Sequence, residues 1–200
     1  MNEASSPDEQ VPSNRIFTVP NALSAARLAL VPVFLWVLLD LKADGWAFAI
    51  LFFSGLSDWA DGKIARLMGQ SSKLGALLDP AADRLYMVVI PIGMGIREMV
   101  PWWVIGLLIG RDVLLMATAP LLRSRGLTAL PVLYIGKAAT FALMSGFPLI
   151  LAGHTDTTIG DIVYPIGWAF LIWGVGMYVW SFALYWVQTW LAMRRLPAVR

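Results

Sequence analysis

The chain has 200 residues, 58% of them hydrophobic and 14% charged, with a net charge of +2 and a mean hydropathy of +0.69. This balance excludes an ordinary water-soluble globular domain and predicts an all-α integral membrane protein, because a spanning helix needs about 20 apolar residues and several such runs use nearly the whole length. Cysteine is absent, which excludes disulfides, iron–sulfur clusters and thiol catalysis.

Residues 1–14 are polar and acidic, without the basic start and apolar core of a signal peptide, and read as a disordered cytoplasmic tail ahead of a single domain over 15–200. The first helix is expected from Asn21, a candidate N-cap after Pro20, to about Leu41. A second runs from about Trp46 to Leu67 and a third from Leu74 to Ile96. The fourth is expected over Pro101 to Leu122, the fifth over Pro131 to Ala152, and the sixth over Tyr164 to Met193. The result is a bundle of six transmembrane helices, in which Pro32, Pro80, Pro91, Pro120 and Pro148 are candidate kinks or stops.

Lysine and arginine in short loops favour the cytoplasmic side. Arg15, Lys63, Arg66, Lys73, Arg123, Arg125, Arg194, Arg195 and Arg200 fall on one side of the six-span topology, and only Lys42 and Arg97 on the other, beside several carboxylates. Both termini are therefore expected in the cytoplasm, with the protein in the cell (inner) membrane. The terminal arginines suit anionic lipid and not nucleic acid. The tryptophans, including Trp102, Trp103, Trp173 and Trp180, suit interfacial belts and lipid-facing packing. Gly106 and Gly110 form a small-xxx-small pair compatible with helix crossing or a homodimer.

Four carboxylates interrupt two of these apolar segments: Asp58 and Asp61, then Asp79 and Asp83. An ionised carboxylate at membrane depth costs roughly 3 kcal/mol by insertion scales, so four on neighbouring segments call for a compensating cation. At about 100° per residue, each pair shares one face of its helix, and both pairs can be aimed into one crevice. An all-oxygen set suits Mg²⁺ or Mn²⁺ and not zinc, while the sole histidine, His154, falls in an outer loop as a solvated side chain. Magnesium completes its shell with water and substrate phosphate, which points to displacement at a diphosphate. Gly62 and Gly75 read as close approaches of a ligand or helix, and Arg66 as a phosphate clamp.

The stretch Ser57-Asp58-Trp59-Ala60-Asp61-Gly62-Lys63-Ile64-Ala65-Arg66, followed after eight intervening residues by Gly75-Ala76-Leu77-Leu78-Asp79-Pro80-Ala81-Ala82-Asp83, resembles the complete signature of the CDP-alcohol phosphotransferase family. The resemblance implies a binuclear metal site at the cytoplasmic side, with Asp58, Asp61, Asp79 and Asp83 around two ions and the CDP diphosphate bridging to them. It also implies that Asp58, Gly62, Arg66 and Gly75 seat the CDP portion and that Asp83 is the general base for the acceptor hydroxyl. CDP-diacylglycerol is then the donor, CMP the leaving group, and a homodimer the expected assembly.

Thr18-Val19-Pro20-Asn21-Ala22-Leu23-Ser24-Ala25-Ala26-Arg27 resembles the opening of the family's glycerol-type branch, which holds phosphatidylglycerophosphate synthases, with glycerol-3-phosphate as acceptor, and single-motif cardiolipin synthases, with phosphatidylglycerol. Gly110-Arg111-Asp112-Val113 and Ile135-Gly136-Lys137 lean toward the cardiolipin synthases. Arg111 and Lys137 are candidates for the acceptor phosphate; equally, Arg111 can pair with Asp112 or a motif aspartate. Two other readings compete. A membrane prenyltransferase would release pyrophosphate, and the Gly62, Ala65, Arg66 and Gly75 spacing argues against it. A carrier would spread its carboxylates through a repeat-symmetric pathway that the sequence does not display.

Overall fold

A computed structural model describes residues 19–68, 75–125, 127, 133–155 and 157–195. Of these, the side chains of 19–21, 58–68, 75–81, 83 and 195 are not among the described ones, and the expected tail lies outside the described residues altogether. Among the described residues the fold is all-helical: α1 Val19–Leu39, α2 Asp44–Met68, α3 Gly75–Ile96, α4 Trp102–Arg123, α5 Tyr134–Gly153 and α6 Thr158–Arg195.

Six helices match the expected number, with corrections at their ends. α1 starts at Val19, so Asn21 lies inside the helix and not at its cap; Pro20 takes an early position where its missing N–H costs nothing. α5 starts at Tyr134, three residues later than expected. α6 starts six residues earlier, at Thr158, because Gly160 N–H donates to Thr157 Oγ1 at 3.0 Å and caps the first turn. None of Pro32, Pro80, Pro91, Pro120 and Pro148 ends its helix.

Among the described residues, four helices are long and apolar enough to cross a membrane: Ala22–Leu39 within α1, α4, α5, and Thr158–Arg194 within α6. In α2 and α3 the described side chains form the shorter apolar stretches Asp44–Ser57 and Arg84–Ile96. At 1.5 Å per residue the 38-residue α6 is about 57 Å long, well beyond a hydrocarbon core of about 30 Å. Trp36, Trp46, Trp102, Trp103, Trp173 and Trp180 are each more than half exposed. Water would penalise such a surface, and lipid does not, so the protein is membrane-embedded.

The chain forms two compact units, Met1–Ile90 and Pro91–Arg200. In the first, α1 packs on α2, burying Phe34 and Leu38 along with Ala47 and Leu51. The turn between them is closed by Ala43 N–H donating to Val37 O at 3.2 Å, with Lys42 in the left-handed region at φ 50°.

In the second unit, α5 and α6 make the most extensive helix pairing, and α4 also packs on α6. Glycine permits the approach. A Cβ on Gly167 would lie 2.6 Å from the Ile150 amide nitrogen, and one on Gly146 would lie 3.0 Å from that of Leu171. With lipid as the competing solvent, this backbone-to-backbone fit replaces a hydrophobic drive toward association. By contrast, Cβ atoms on Gly106 and Gly110 would meet nothing within 4 Å among the described residues, so that pair is not used for helix crossing there.

Candidate active site

Both aspartate pairs lie on unbroken helix. α2 carries Asp58, Asp61, Gly62 and Arg66, and α3 carries Gly75, Asp79 and Asp83. Helical backbone through these positions puts Asp58 and Asp61, at i and i+3, on one stripe of α2, and Asp79 and Asp83, at i and i+4, on one stripe of α3. Their side chains lie outside the described residues, as do those of Gly62, Arg66 and Gly75. No group of three or more acidic, histidine or cysteine side chains occurs among the described residues. The donor chemistry of the motif itself fits a hard divalent cation: four carboxylates, with no nitrogen or sulfur ligand interleaved.

The described side chains next to the motif form a buried polar connection. Ser54, one turn before Asp58, donates through Oγ to Tyr86 Oη at 2.9 Å. Tyr86, one turn after Asp83, donates in turn to the main-chain carbonyl of Arg27 on α1 at 3.0 Å. Ser54, Tyr86 and Arg27 are 3%, 6% and 4% exposed, so neither bond competes with water. Sequence reasoning assigned none of the three a role. A signal was present: Ser54, Asp58 and Asp61 stand at i, i+4 and i+7, and so do Asp79, Asp83 and Tyr86. The polar stripe on each helix is therefore one residue longer than its aspartate pair.

A second polar cluster lies in the Pro91–Arg200 unit, at mid-helix on α4 and α6. Arg111 Nη1 bonds Asp112 Oδ1 at 2.9 Å, and Nη2 donates to Ser181 Oγ at 3.1 Å. Tyr178 donates to the same Asp112 oxygen at 2.6 Å, and its ring lies 4.1 Å beneath the guanidinium carbon. The Arg111–Asp112 pairing weighed from sequence is thus present. Tyr178, Ser181 and Tyr185 complete its surroundings; Tyr185, whose ring centroid is 5.8 Å from the guanidinium, accepts a bond from Leu133 N–H at 3.1 Å. Arg111 Nε is buried with no hydrogen-bond partner among the described residues. Lys137 is exposed, its ammonium 5.7 Å from the centre of the Tyr134 ring. A Cβ on its neighbour Gly136 would lie 3.9 Å from Ser181 Cβ and 4.0 Å from the Tyr185 ring.

His154 is exposed at the α5 C-terminus, with Nδ1 2.9 Å from Ile150 O and its ring edge-on to Tyr164. It caps a helix end.

Comparison with known proteins agrees with the motif. Residues 17–193 match the family described as CDP-alcohol phosphatidyltransferase. A Mycobacterium tuberculosis protein that carries a provisional cardiolipin synthase name is 58% identical over 94% of this chain and 90% of its own length. A Streptomyces coelicolor protein named cardiolipin synthase (CMP-forming) is 44% identical over 90% of this chain and 86% of its own. A Pseudomonas fluorescens protein named CDP-diacylglycerol–glycerol-3-phosphate 3-phosphatidyltransferase is 30% identical over 86% of this chain and 90% of its own. With the complete aspartate signature on two unbroken helices and a family match spanning nearly the whole length, the chain belongs to the CDP-alcohol phosphatidyltransferase family and is a membrane-embedded phosphatidyltransferase.

Proposed function

We propose that the protein transfers the phosphatidyl group of CDP-diacylglycerol to the free hydroxyl of phosphatidylglycerol, forming cardiolipin and releasing CMP. The observation that carries this reading is 58% identity, over nearly the full length of both chains, to a relative bearing a cardiolipin synthase name, together with an intact aspartate signature. The family is generally dependent on divalent metal. Asp58, Asp61, Asp79 and Asp83 would hold two Mg²⁺ or Mn²⁺ ions, which supply charge neutralisation at the diphosphate when bound. Gly62 and Gly75 leave room for the nucleotide against the helix backbone, and Asp58 and Arg66 engage its CDP portion.

Asp83 takes the proton of the acceptor hydroxyl. The hydroxyl oxygen bonds to the diacylglycerol-bearing β-phosphorus, the bond from that phosphorus to the CMP oxygen breaks, and CMP departs with the electron pair. Arg111 and Lys137 bind the acceptor phosphate. The unspent Nε donor of Arg111 supports this role, while Asp112 and Ser181 orient its other nitrogens. We further propose six membrane crossings in one domain over 15–200, a cytoplasmic active site and termini in the inner membrane, and a homodimer. Gly106 and Gly110, which meet no neighbour within the described chain, are candidates for its interface.

The test is purified protein in liposomes with Mg²⁺ and CDP-diacylglycerol, given phosphatidylglycerol, glycerol-3-phosphate or inositol phosphate separately, with CMP and lipid product both measured. Cardiolipin formation supports the proposal. Phosphatidylglycerophosphate, the product expected from the name of the Pseudomonas relative, would replace the acceptor and keep the mechanism. Absence of CMP with every acceptor would overturn both.

A further inference from the structure

We infer that Tyr86, with Ser54, is a positioning residue that sets the register of the two aspartate helices, and so the shape of the metal site between their carboxylates. The inference rests on the proposed metal role of those aspartates. Its basis is geometric. Two ligands come from α2 and two from α3, so the site exists only if one helix stands at a defined height beside the other. Sliding one helix by a single residue moves its carboxylates about 1.5 Å, while Mg²⁺ requires near-octahedral ligands at about 2.0–2.1 Å.

The Ser54–Tyr86 bond, at 2.9 Å, joins these helices side chain to side chain, and it lies one turn from each aspartate pair on the same i+4 and i+7 stripes. One hydroxyl serves both bonds: it accepts from Ser54 and donates to Arg27 O at 3.0 Å, so α1 is pinned at the same level. A tyrosine suits the task because its rigid ring fixes the reach of the hydroxyl, and all three residues are sealed from water.

The test uses the full-length protein in detergent, with Mn²⁺ binding read by electron paramagnetic resonance and Mg²⁺ half-saturation read from CMP release. Tyr86→Phe keeps the ring and removes both bonds; it is expected to weaken Mn²⁺ binding and raise Mg²⁺ half-saturation about tenfold, the lower end for residues that orient metal ligands. Ser54→Ala should give a smaller shift, because the bond to Arg27 remains. The double variant should be no worse than Tyr86→Phe, since both routes run through one hydroxyl.

Unchanged Mn²⁺ affinity in Tyr86→Phe would overturn the inference. So would a weakening matched by an equal loss in a packing control at Ala82→Gly, a buried neighbour on α3 whose methyl group makes no hydrogen bond. Asp61→Asn separates the two levels of argument: if it leaves Mn²⁺ binding intact, the metal reading itself fails, whatever Tyr86 does.

Discussion

The α5–α6 pair and the α1–α3 unit solve the same problem by opposite means. Neither can rely on apolar burial alone, because lipid competes for apolar surface as well as a neighbouring helix does. α5 and α6 use shape: Gly146, Gly167 and Gly174 let the helices approach until a single added Cβ would collide. The α1–α3 unit uses polarity, with Ser54, Tyr86 and the Arg27 carbonyl joined in its interior one turn from the motif. Shape packing resists every displacement but tolerates no change in volume. A hydrogen-bonded tie adds little stability, yet it selects one register. The aspartate helices are thus tied by directional bonds, whereas α5 and α6 are held by close fit.

The largest effects should come from the motif itself. Asp58→Asn, Asp61→Asn and Asp83→Asn are each expected to lower CMP release by on the order of a thousandfold, or about 4 kcal/mol of transition-state stabilisation. Asp83→Asn should retain most CDP-lipid binding in a direct binding assay, whereas the other two lose metal dependence as well. Substantial turnover in any of them would sink the assigned roles.

Next in size is the glycine seam. Gly167→Val places atoms against the Ile150 backbone, so it should destabilise by about 1–3 kcal/mol or prevent folding, read as the unfolding midpoint in mixed micelles. Gly176→Ala, on α6 where an added Cβ meets nothing within 4 Å among the described residues, should leave that midpoint unchanged. If the two behave alike, the seam is not held by fit.

Tyr178→Phe removes the bond to Asp112 and leaves the Arg111 pairing. The expected loss is about 0.6 kcal/mol and at most about 2, typical of hydrogen bonds between helices in lipid. A loss several times larger would mean that the α4–α6 contact also depends on a polar tie. Smallest of all, Lys42→Gly relieves a left-handed backbone and should stabilise the α1–α2 turn by about 1 kcal/mol or less, visible as slower amide exchange at Ala43.

Much was legible in the sequence because membrane burial exaggerates chemistry. Hydropathy alone specified the helical class, and six apolar segments became six helices. Aspartates in such segments, at i+3 and i+4 spacing, marked the candidate site through their desolvation cost, and helix through both motif halves keeps each pair on one stripe. Local ends were less legible: the Thr157 cap was passed over and α6 began six residues early, because a threonine before a glycine-containing turn is a weak signal beside Pro165.

What the tertiary structure alone decided is partnership. Whether Arg111 would meet Asp112 was open from spacing, and a ring from α6 and a serine one turn on turned out to complete the pair. Ser54 and Tyr86 are 32 residues apart, and Tyr86 and Arg27 are 59 apart. Periodicity shows which residues share a face of one helix. It carries no information about the height at which a second helix stands beside it, and that height determines which hydroxyl finds which partner.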